Sequence, residues 1–431
     1  MSILEELSEI WDGSDEPFLV YKGLEVRFSD VLNIPRLDLS ALCPGDVVAL
    51  VGDFDPETIL TLIRLIDLKM IVVPLTPDTS LDHDYFFDSA YVDAVIQNGK
   101  LVKRINSGSH ELIDLLRHKR HGGLVLFSTG TTGRPKAILH DLSHFLKRFE
   151  TPRPSHRTLS FLLFDHIGGL NTLFHTLFNK GVVISPSSRT VESILDTCSN
   201  SRVEVLPTTP TFLRMMLISG AIPERIPESL KVITYGTERM DEPTLSTLCE
   251  LLPQVDFRQT FGMSELGILR VKSEARNSLF MKIGGEGIEF RVIDSVLEIR
   301  ARYRMLGYLN APSPFDSDGW YNTKDVVELK DGMIKVTGRS SDVVNVGGLK
   351  FMASEVERVA LNYDGIAFVK VTSAANPITG EHVEMSVQPK SEDSFDLEKF
   401  KDFLKLNLRT HMIPRRIKVQ SIEIGHRFKR Q

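Results

Sequence analysis

The sequence predicts an α/β fold, in which a large N-terminal domain of layered α/β sheets with a small β-rich subdomain precedes a small α+β C-terminal domain. Three observations lead to this prediction. The 431 residues exceed one ordinary core. β-Branched runs alternate with helical patterns over roughly the first 270 residues, and short strands with Asp-Gly-type turns follow. We place the N-terminal domain at 1–338, its β-rich part at about 280–338, the C-terminal domain at 339–431 and a hinge near 338–342.

The first part of the chain predicts mostly parallel sheets. The runs DVVALVG, MIVVPL, DAVIQ, LVLFS, GVVIS, VEVLP and LKVITYG are typical of strands buried on both faces. The helical patterns ETILTLIRLIDLK and TFLRMMLIS each follow an N-cap residue and a proline, Asp55-Pro56 and Thr209-Pro210. Ligands of such sheets bind beyond the carboxyl ends of the strands.

The later part predicts antiparallel sheet and then a small mixed unit. IEFRVIDSVLEIRARY and DVVELKDGMIKVTGR predict short strands joined by tight turns. After Gly338, SEVERVALN and LEKFKDFLKLNL predict helices, and GIAFVKVTS and VEMSVQPK predict strands. A domain boundary near Gly338–Asp342 fits both halves.

Composition excludes several classes of protein. The formal net charge of -6 gives no support to nucleic-acid binding. Cys43, Cys198 and Cys249 lie far apart in apolar surroundings, which predicts buried free thiols in a reducing compartment. The acidic N-terminus does not resemble a secretory signal, and no apolar run approaches the roughly 20 residues of a membrane span. We therefore expect a cytoplasmic protein without a membrane span or a nucleic-acid partner; composition leaves the oligomeric state open.

The segment FSTGTTGRPKAI, from Phe127 to Ile138, is the first candidate binding site. Glycines let the backbone approach a ligand closely, and successive N–H groups, hydroxyls and a lysine suit phosphate. It is not a Walker A loop, because Lys136 is followed by Ala137. The alternative is a flexible polar surface loop. The candidate phosphate-binding residues are Ser128, Thr129, Gly130, Thr131, Thr132, Gly133 and Lys136.

This segment resembles the phosphate loop Ser-x-Gly-Thr-Thr-Gly-x-Pro-Lys-Gly of the adenylate-forming superfamily, which includes acyl- and aryl-CoA synthetases, luciferases and adenylation domains of nonribosomal peptide synthetases. Only the last position differs, at Ala137. Four further motifs follow in the family's order: LKVITYGTERM, RQTFGMSELG, GWYNTKDVVEL and VTGRSSDVVNVGGLKFMASEVE. The resemblance spans most of the chain and points most to the acyl-CoA synthetases.

The resemblance implies an ATP- and Mg²⁺-dependent acid–thiol ligase. Such enzymes convert a small acyl or aryl carboxylate to an acyl-adenylate and pass the acyl group to CoA or a carrier-protein pantetheine. Their C-terminal domain is a mobile lid. By position, Ser264 would contact the α-phosphate, Glu265 would bind Mg²⁺, Asp325 the ribose, and Arg339 ribose or phosphate. The adenine pocket would include Gly236, Thr237, Glu238, Phe261 and Gly262.

The segment HIGGL resembles the part of acyl-CoA synthetases that brings a histidine to the acyl carboxylate, here His166. Amino-acid adenylating relatives have an aspartate at that position, and Asp165 lies one residue too early. The resemblance therefore favours an acyl or aryl acid over an α-amino acid. The alternative is a structural histidine at a strand end.

The C-terminus departs from the family, whose catalytic lysine lies in a Gly-Lys-x-x-Arg pattern. In IEIGHRFKRQ, alignment on Gly425 puts His426 at that position, and Lys429 follows three residues later. We predict that Lys429 is the catalytic cation, with His426 as the alternative and a merely solvated tail as a third interpretation. Lys324 replaces a glycine before Asp325, and Ser341 leaves the pivot of the hinge undetermined.

Three functions remain open at this stage. The first is a CoA ligase for a small carboxylic acid, and the second is an adenylating enzyme that loads a carrier protein. The third is a degenerate relative that binds the adenylate without full adenylation activity. Use of free CoA separates the first from the second, and pyrophosphate exchange without a thiol separates both from the third.

Overall fold

The computed structural model describes residues 2–34, 36–105, 108–128, 134–391, 393–422 and 424–425. Over these ranges the chain forms helices and strands in mixed order. The helices are α1 (Ile3–Trp11), α2 (Phe28–Leu32), α3 (Pro56–Asp67), α4 (His83–Ser89), α5 (Glu111–Lys119), α6 (Leu142–Leu146), α7 (Ile167–Phe178), α8 (Val191–Asn200), α9 (Pro210–Ile218), α10 (Glu242–Leu251), α11 (Ala353–Leu361) and α12 (Leu397–Asn407).

Short strands make up four sheets. The strands are β1 (Leu19–Tyr21), β2 (Leu24–Val26), β3 (Val47–Val51), β4 (Ile71–Leu75), β5 (Ala94–Gln97), β6 (Lys100–Lys103), β7 (Gly123–Phe127), β8 (Ala137–Asp141), β9 (Arg157–Leu159), β10 (Val182–Ser185), β11 (Val205–Thr208), β12 (Val232–Tyr235), β13 (Asp256–Gln259), β14 (Phe261–Met263), β15 (Gly267–Ser273), β16 (Met281–Gly284), β17 (Ile288–Ile293), β18 (Val296–Ala301), β19 (Gly307–Tyr308), β20 (Tyr321–Lys330), β21 (Met333–Arg339), β22 (Val343–Val346), β23 (Leu349–Met352), β24 (Ile366–Asn376), β25 (Gly380–Pro389) and β26 (Arg416–Val419).

The first two sheets confirm the predicted α/β layers. One has the order β19-β8-β7-β4-β3-β5-β6, and the other has the order β13-β12-β11-β9-β10-β1-β2. Their central strands are parallel, whereas β7 and β8 form an antiparallel pair. The predicted caps are present, because the side chains of Asp55 and Thr209 accept hydrogen bonds at the starts of α3 and α9. Asp55 and Thr209 thus start these helices as their sequence pattern indicates.

Helix α7 packs beside the first sheet and connects two strands of the second. Leu170, Leu173 and Phe174 on its apolar side belong to the same buried cluster as Val48 and Leu50 of β3. The alternate residues of β3 lie in a separate cluster on the other face of the sheet. This strand is therefore buried on both faces, as its continuous apolar sequence predicts.

The third sheet is antiparallel, with the order β14-β15-β16-β21-β20-β18-β17. Asp294 and Ser295 join β17 to β18, with φ of 49° and 65°. Asp331 and Gly332 join β20 to β21, with φ of 50° and 73°. Two successive positive φ angles are characteristic of the turns that match the twist of a hairpin. Both predicted hairpins are therefore confirmed.

The last sheet contains β22 to β26 and packs with α11 and α12 around its own apolar cluster. A 3₁₀ turn at Ser340–Asp342 connects it to β21. Arg214 of α9 donates to the carbonyl oxygens of Ile366 and Ala367, with 3.3 Å to the former. The described part of the C-terminal region thus rests on α9.

One sequence-based expectation about the cysteines is wrong. Cys198 is buried and Cys249 is half-buried, but Cys43 is exposed. Cys43 occupies a surface turn, in which its N–H donates to Asp46 Oδ2 at 2.9 Å. The turn holds the backbone at the surface whatever the polarity of its side chains. Within the described ranges, no helix has the length and apolarity needed to cross a membrane.

Candidate functional site

A cavity of about 1860 Å³ lies where the second and third sheets meet the C-terminal region. It is larger than the roughly 300–1,000 Å³ of most small-molecule sites, so it has room for more than one ligand. Its walls include residues from every motif singled out in the sequence. They include Ser128, Lys136, His166, Thr237, Gly262, Ser264, Glu265, Lys324, Arg339 and Gly425.

Ser128 and Lys136, at the two ends of the phosphate-loop segment, are hydrogen-bonded to each other, and we call this pair the neck. Thr129, Gly130, Thr131, Thr132 and Gly133 lie outside the described residues. On either side of them, the Ser128 N–H donates to the carbonyl oxygen of Lys136 at 3.0 Å. The Lys136 N–H in turn donates to Ser128 Oγ at 3.1 Å. Both residues line the cavity at this neck.

The far side of the neck is fixed by residues that the sequence did not single out. Asn310 Oδ1 accepts from the Ala137 N–H at 2.9 Å, and its amide donates to the Pro135 carbonyl at 3.1 Å. The Tyr85 hydroxyl donates to the same carbonyl at 2.8 Å. These bonds fix the backbone on which Lys136 stands.

Glu265 lies in a segment whose backbone is held at three successive carbonyls. His140 Nε2 lies 2.7 Å from the Ser264 carbonyl oxygen. The Met305 N–H donates to the Glu265 carbonyl at 2.8 Å, and Arg148 donates to the Leu266 carbonyl at 2.9 Å. We call these three donors the carbonyl clamp. Because they come from three separate parts of the chain, they fix the backbone from which the Glu265 side chain projects.

Burial sets the protonation states in this clamp. It lowers the pKa of His140 to about 4, and the charge of Arg148 acts in the same direction. His140 is therefore neutral at pH 7, with its Nε2 proton directed at Ser264. Burial also lowers the pKa of Arg148 to about 10, which leaves the guanidinium charged. The side chains of His140 and Arg148 therefore both remain hydrogen-bond donors at neutral pH.

The Glu265 carboxylate is buried, and its Oε1 accepts from the Tyr308 hydroxyl at 2.8 Å. Burial and the Glu265 charge raise the pKa of Tyr308, so this hydroxyl remains a donor. The Lys136 Nζ lies 4.8 Å from the centre of the Tyr308 ring. Tyr308 therefore links the candidate metal ligand to the base of the phosphate loop.

The donor set suits a magnesium ion that is held mainly by its substrate. No group of three or more His, Cys, Asp or Glu residues in the described ranges is placed to hold a metal ion by itself. Mg²⁺ is commonly held by one or two carboxylates together with phosphate oxygens and water. A single oriented carboxylate on the wall of this cavity fits that mode.

Asp325 and Arg339 face each other on the paired strands β20 and β21. Arg339 Nε lies 2.9 Å from Asp325 Oδ1, and the backbone N–H of Arg339 donates to Asp342 Oδ2 at 3.2 Å. Burial raises the pKa of Asp325 to about 6, although Arg339 acts in the opposite direction. Arg339 and Lys324 line the cavity, whereas Asp325 is buried and is not among the described residues that line it.

The Gly236-Thr237-Glu238 turn is tightly constrained. A Cβ at Gly236 would collide with Thr260 Oγ1, so only glycine fits. Thr237 has a φ of 69°, which is unfavourable for a β-branched residue, and the residue lines the cavity while its Oγ1 is buried. Glu238 instead accepts from the N–H and the hydroxyl of Thr211, at 3.2 and 2.9 Å, at the start of α9. Glu238 thus supports the turn from behind.

Phe261 is half-buried and packs against the apolar cluster of the third sheet. Its neighbour Gly262, which pairs with Ile268 across β14 and β15, lies on the cavity wall. Of the two, only Gly262 is among the described residues that line the cavity. The adenine-facing role that the motif implies for Phe261 stays a prediction.

His166 is the N-cap of α7 and faces the cavity. Its Nδ1 accepts from the Gly168 N–H at 3.0 Å, so the proton of a neutral ring lies on Nε2. A Cβ at Gly169 would collide with the Leu163 carbonyl oxygen, which explains the second glycine of the HIGGL segment. The preceding Asp165 is buried. This geometry brings the histidine, and not the aspartate, to the cavity wall.

The predicted catalytic cations His426 and Lys429 lie outside the described residues. Gly425, which precedes them, lines the cavity. Lys370 on β24 also lines it and was not predicted. The only available signal was a single charged residue inside the apolar strand pattern GIAFVKVTS. The C-terminal region therefore presents at least one described ammonium group to the cavity.

Comparisons with known proteins agree with this arrangement. The sequence profile of the AMP-binding enzyme family matches residues 113–298. A medium/long-chain fatty acid–[acyl-carrier-protein] ligase of Mycobacterium tuberculosis is 26% identical, over 56% of this chain and 51% of that protein. A 2-hydroxy-7-methoxy-5-methyl-1-naphthoate–CoA ligase of Streptomyces carzinostaticus is 28% identical, over 60% of this chain and 52% of that protein. The matches thus span about half the length of these relatives.

The fold is also similar to that of solved structures. The crystal structure of the anthranilate CoA ligase AuaEII in complex with anthranoyl-AMP superposes with a TM-score of 0.80. The match covers 100% of this chain and 95% of that chain, at 16% sequence identity. The predicted fold class, with a large N-terminal and a small C-terminal domain, is confirmed.

Proposed function

Because this chain belongs to the adenylate-forming superfamily, we propose that it is an AMP-forming acid–thiol ligase that uses ATP and Mg²⁺. Its substrate is a small acyl or aryl carboxylic acid, and its acceptor is the thiol of CoA. The observation that carries the proposal is the placement of Glu265. The carbonyl clamp and Tyr308 hold this carboxylate in one cavity with Lys136, Ser264 and His166.

In the first half-reaction, a carboxylate oxygen of the acid attacks the α-phosphorus of ATP. The bond from that phosphorus to the bridging oxygen breaks, and pyrophosphate leaves with the electron pair. The phosphate loop and Lys136 bind the β- and γ-phosphates, and Ser264 donates to the α-phosphate. Glu265 holds Mg²⁺, which neutralises phosphate charge when it is bound. Catalysis then consists mainly of positioning and charge neutralisation.

His166 positions the acid. With Nδ1 engaged by the Gly168 N–H, the ring offers Nε2–H as a donor from the cavity wall. This donor orients a carboxylate oxygen toward the α-phosphorus. A histidine donor at this wall supports an acyl or aryl acid, whereas an α-amino acid requires a carboxylate for its ammonium group.

Asp325 and Arg339 bind the ribose. The ion pair at 2.9 Å holds both side chains in place before the nucleotide arrives. Ionised Asp325 accepts hydrogen bonds from the ribose hydroxyls, and Arg339 turns toward ribose or phosphate. Arg339 has room for this movement because its side chain is mostly exposed.

Lys429 supplies the positive charge that stabilises the attacking carboxylate and the α-phosphate. His426 is the alternative, since it aligns with the family's lysine. Lys370 adds a second ammonium group from β24. In the second half-reaction, the thiol sulfur attacks the acyl carbon and the thiol proton is released to solvent. The bond from that carbon to the phosphate oxygen breaks, and AMP leaves with the electron pair. The 3₁₀ turn at Ser340–Asp342 is our proposed hinge for the rotation between the two states.

A carrier-protein pantetheine is the second candidate acceptor, because it offers the same thiol. Thioester formation with free CoA supports the first candidate. Thioester formation only with a pantetheine-bearing carrier protein supports the second.

The decisive experiment is carboxylate-dependent exchange between ATP and radiolabelled pyrophosphate, measured across a panel of acyl and aryl acids without a thiol. We expect exchange with at least one acid. Glu265→Gln should abolish it, and Glu250→Gln, which changes an exposed carboxylate on α10, should not. ATP binding without exchange on any acid would overturn the proposal and favour a degenerate adenylate-binding protein.

A further inference from the structure

One face of α7 lines the cavity over its whole length and is polar. The residues on this face recur at helical spacing, so they form one continuous stripe. They are Gly168, Asn171, Thr172, His175, Thr176 and Asn179. From the first to the last the stripe is about 16 Å long at 1.5 Å per residue. The cavity therefore continues well beyond His166, away from the phosphate loop.

A second wall of the extension comes from the second sheet and mixes apolar with polar residues. They are Thr158, Val205, Pro207, Thr208, Val232, Thr234 and Arg258. Along β11 the wall runs from Thr208, at the carboxyl end of the strand, back to Val205. A substrate in this extension would contact polar groups on both walls.

Two threonine hydroxyls in the extension, one on α7 and one on β11, are buried without a partner among the described residues. Thr176 is 3% exposed and Thr208 is 1% exposed, and neither Oγ1 has a hydrogen bond. By contrast, the Thr172 hydroxyl donates to the Gly168 carbonyl at 2.8 Å. Both oxygens are themselves inaccessible, so a ligand in the cavity does not contact them as the side chains are placed.

The far end of the extension is lined by basic side chains. Arg153, His156 and His175 line it. Burial lowers the pKa of His175, and the charges of Arg153 and His156 lower it further, because the three side chains are close to one another. Glu204 lies 3.7 Å from His156 and is the nearest opposing carboxylate. Arg153 carries a full positive charge and each histidine can donate a ring N–H, so this end of the cavity suits an anionic group better than an alkyl end.

The backbone at this end is held in place. The Arg153 N–H donates to Asn179 Oδ1, and the Asn179 amide donates to the His175 carbonyl at 2.7 Å. Asn179 thus ties the segment that carries Arg153 to the last turn of α7. The Arg153 side chain is exposed at the end of the cavity, where it can contact a ligand.

We propose that the acid substrate carries a second anionic group, which Arg153, His156 and His175 bind while the reacting carboxylate lies at His166. This inference rests on the proposed function, since it assigns the substrate class of the same site. His166 and His175 are nine positions apart, which corresponds to about 13 Å along the helix. The substrate class is therefore a long dicarboxylic acid or an aryl acid with a distant acidic group, and not a fatty acid.

The test compares dicarboxylic acids with monocarboxylic acids of equal length in the pyrophosphate-exchange assay. The acids have about six to fourteen carbons, so that their lengths bracket the roughly 13 Å between His166 and His175. At the best length we expect kcat/KM for the diacid to exceed that of its monoacid at least tenfold. Arg153→Ala should remove this advantage and leave the monoacid within twofold, and Arg153→Lys should restore part of it. Lys147→Ala, which removes an exposed charge elsewhere, should change neither.

Equal or better use of the monoacid at every length would overturn the inference, as would an equal loss for both acids in Arg153→Ala. Exchange with monoacids alone would leave the proposed function standing. If no acid supports exchange, the proposed function fails. Calorimetric binding of the same acid pairs to the wild type and to Arg153→Ala would then decide the inference, which predicts that only diacid binding depends on Arg153.

Discussion

Replacing Tyr308 with phenylalanine tests whether the hold on Glu265 matters for catalysis. The substitution removes the hydroxyl that donates to Glu265 Oε1 at 2.8 Å. It keeps the ring, and with it the contact to Lys136 at 4.8 Å from the ring centre. Tyr308 is 5% exposed, so the shape of the buried side chain is nearly conserved. The change therefore removes one hydroxyl, which interacts with Tyr321 as well as with Glu265.

The expected magnitude follows from the type of bond that is lost. A hydrogen bond to a charged group contributes about 1.5–3 kcal/mol, which corresponds to roughly a tenfold to hundredfold change in rate. Because Glu265 lines an open cavity, water can replace part of the lost bond. We expect kcat/KM for ATP in the exchange assay to fall about tenfold, and the Mg²⁺ concentration for half-maximal rate to rise.

The control is Tyr363→Phe, which removes a tyrosine hydroxyl near α12 in the C-terminal region. It should leave the rate and the Mg²⁺ dependence unchanged, and both variants should unfold at nearly the wild-type temperature. An exchange rate and Mg²⁺ dependence within twofold of wild type in Tyr308→Phe would refute the reasoning. A large loss of thermal stability in that variant would assign Tyr308 a structural role instead.

Three further predictions concern the nucleotide, the cation and the strained turn. Because the folded pKa of Asp325 is raised to about 6, its contribution to stability is full below about pH 4 and is lost as the pH rises through about 6. ATP affinity should rise over the same pH range. Asp325→Asn should flatten the pH dependence of ATP binding, measured by calorimetry, and of stability, measured by urea unfolding. Lys429→Ala should lower pyrophosphate exchange at least ~100-fold, the value of a lost charge contact in the transition state, and should spare thioester formation from preformed acyl-adenylate. A greater loss of exchange in His426→Ala or Lys370→Ala would assign the catalytic cation to that residue instead. Thr237→Gly should raise the free energy of unfolding by up to about 1 kcal/mol, since it relieves a φ of 69°, and should weaken substrate binding; unchanged stability would show that the turn is not strained.

Local chemistry was predictable from the sequence. The N-caps of α3 and α9, the two hairpin turns and the glycines beside His166 depend on residues within a few positions of each other. Their signals survive in a single sequence because steric and hydrogen-bonding preferences act over that range. The motif residues that line the cavity were found differently, from the resemblance of their segments to the motifs of a known family.

The residues that hold Glu265 and its backbone in place could not be predicted from local sequence patterns. His140, Arg148 and Tyr308 are 124, 118 and 43 positions from the residues that they bond. Nothing in the local pattern of a buried histidine distinguishes a donor to a distant carbonyl from an ordinary core residue. Lys370 likewise looked like one charged position on a strand. Long-range pairing of this kind depends on how the sheets are arranged, which the sequence alone did not provide.

The short strand β19 has a consequence for how the chain can be divided. Gly307 and Tyr308 pair with Leu139 and Ile138 of β8, so a segment from the late part of the chain completes the border of the first sheet. A recombinant fragment that stops before Gly307 would leave the backbone of β8 uncovered and prone to pair with other copies. It would also lack Tyr308. Fragments meant to remain monomeric should therefore extend past this strand, even when the aim is to isolate only the nucleotide-facing half.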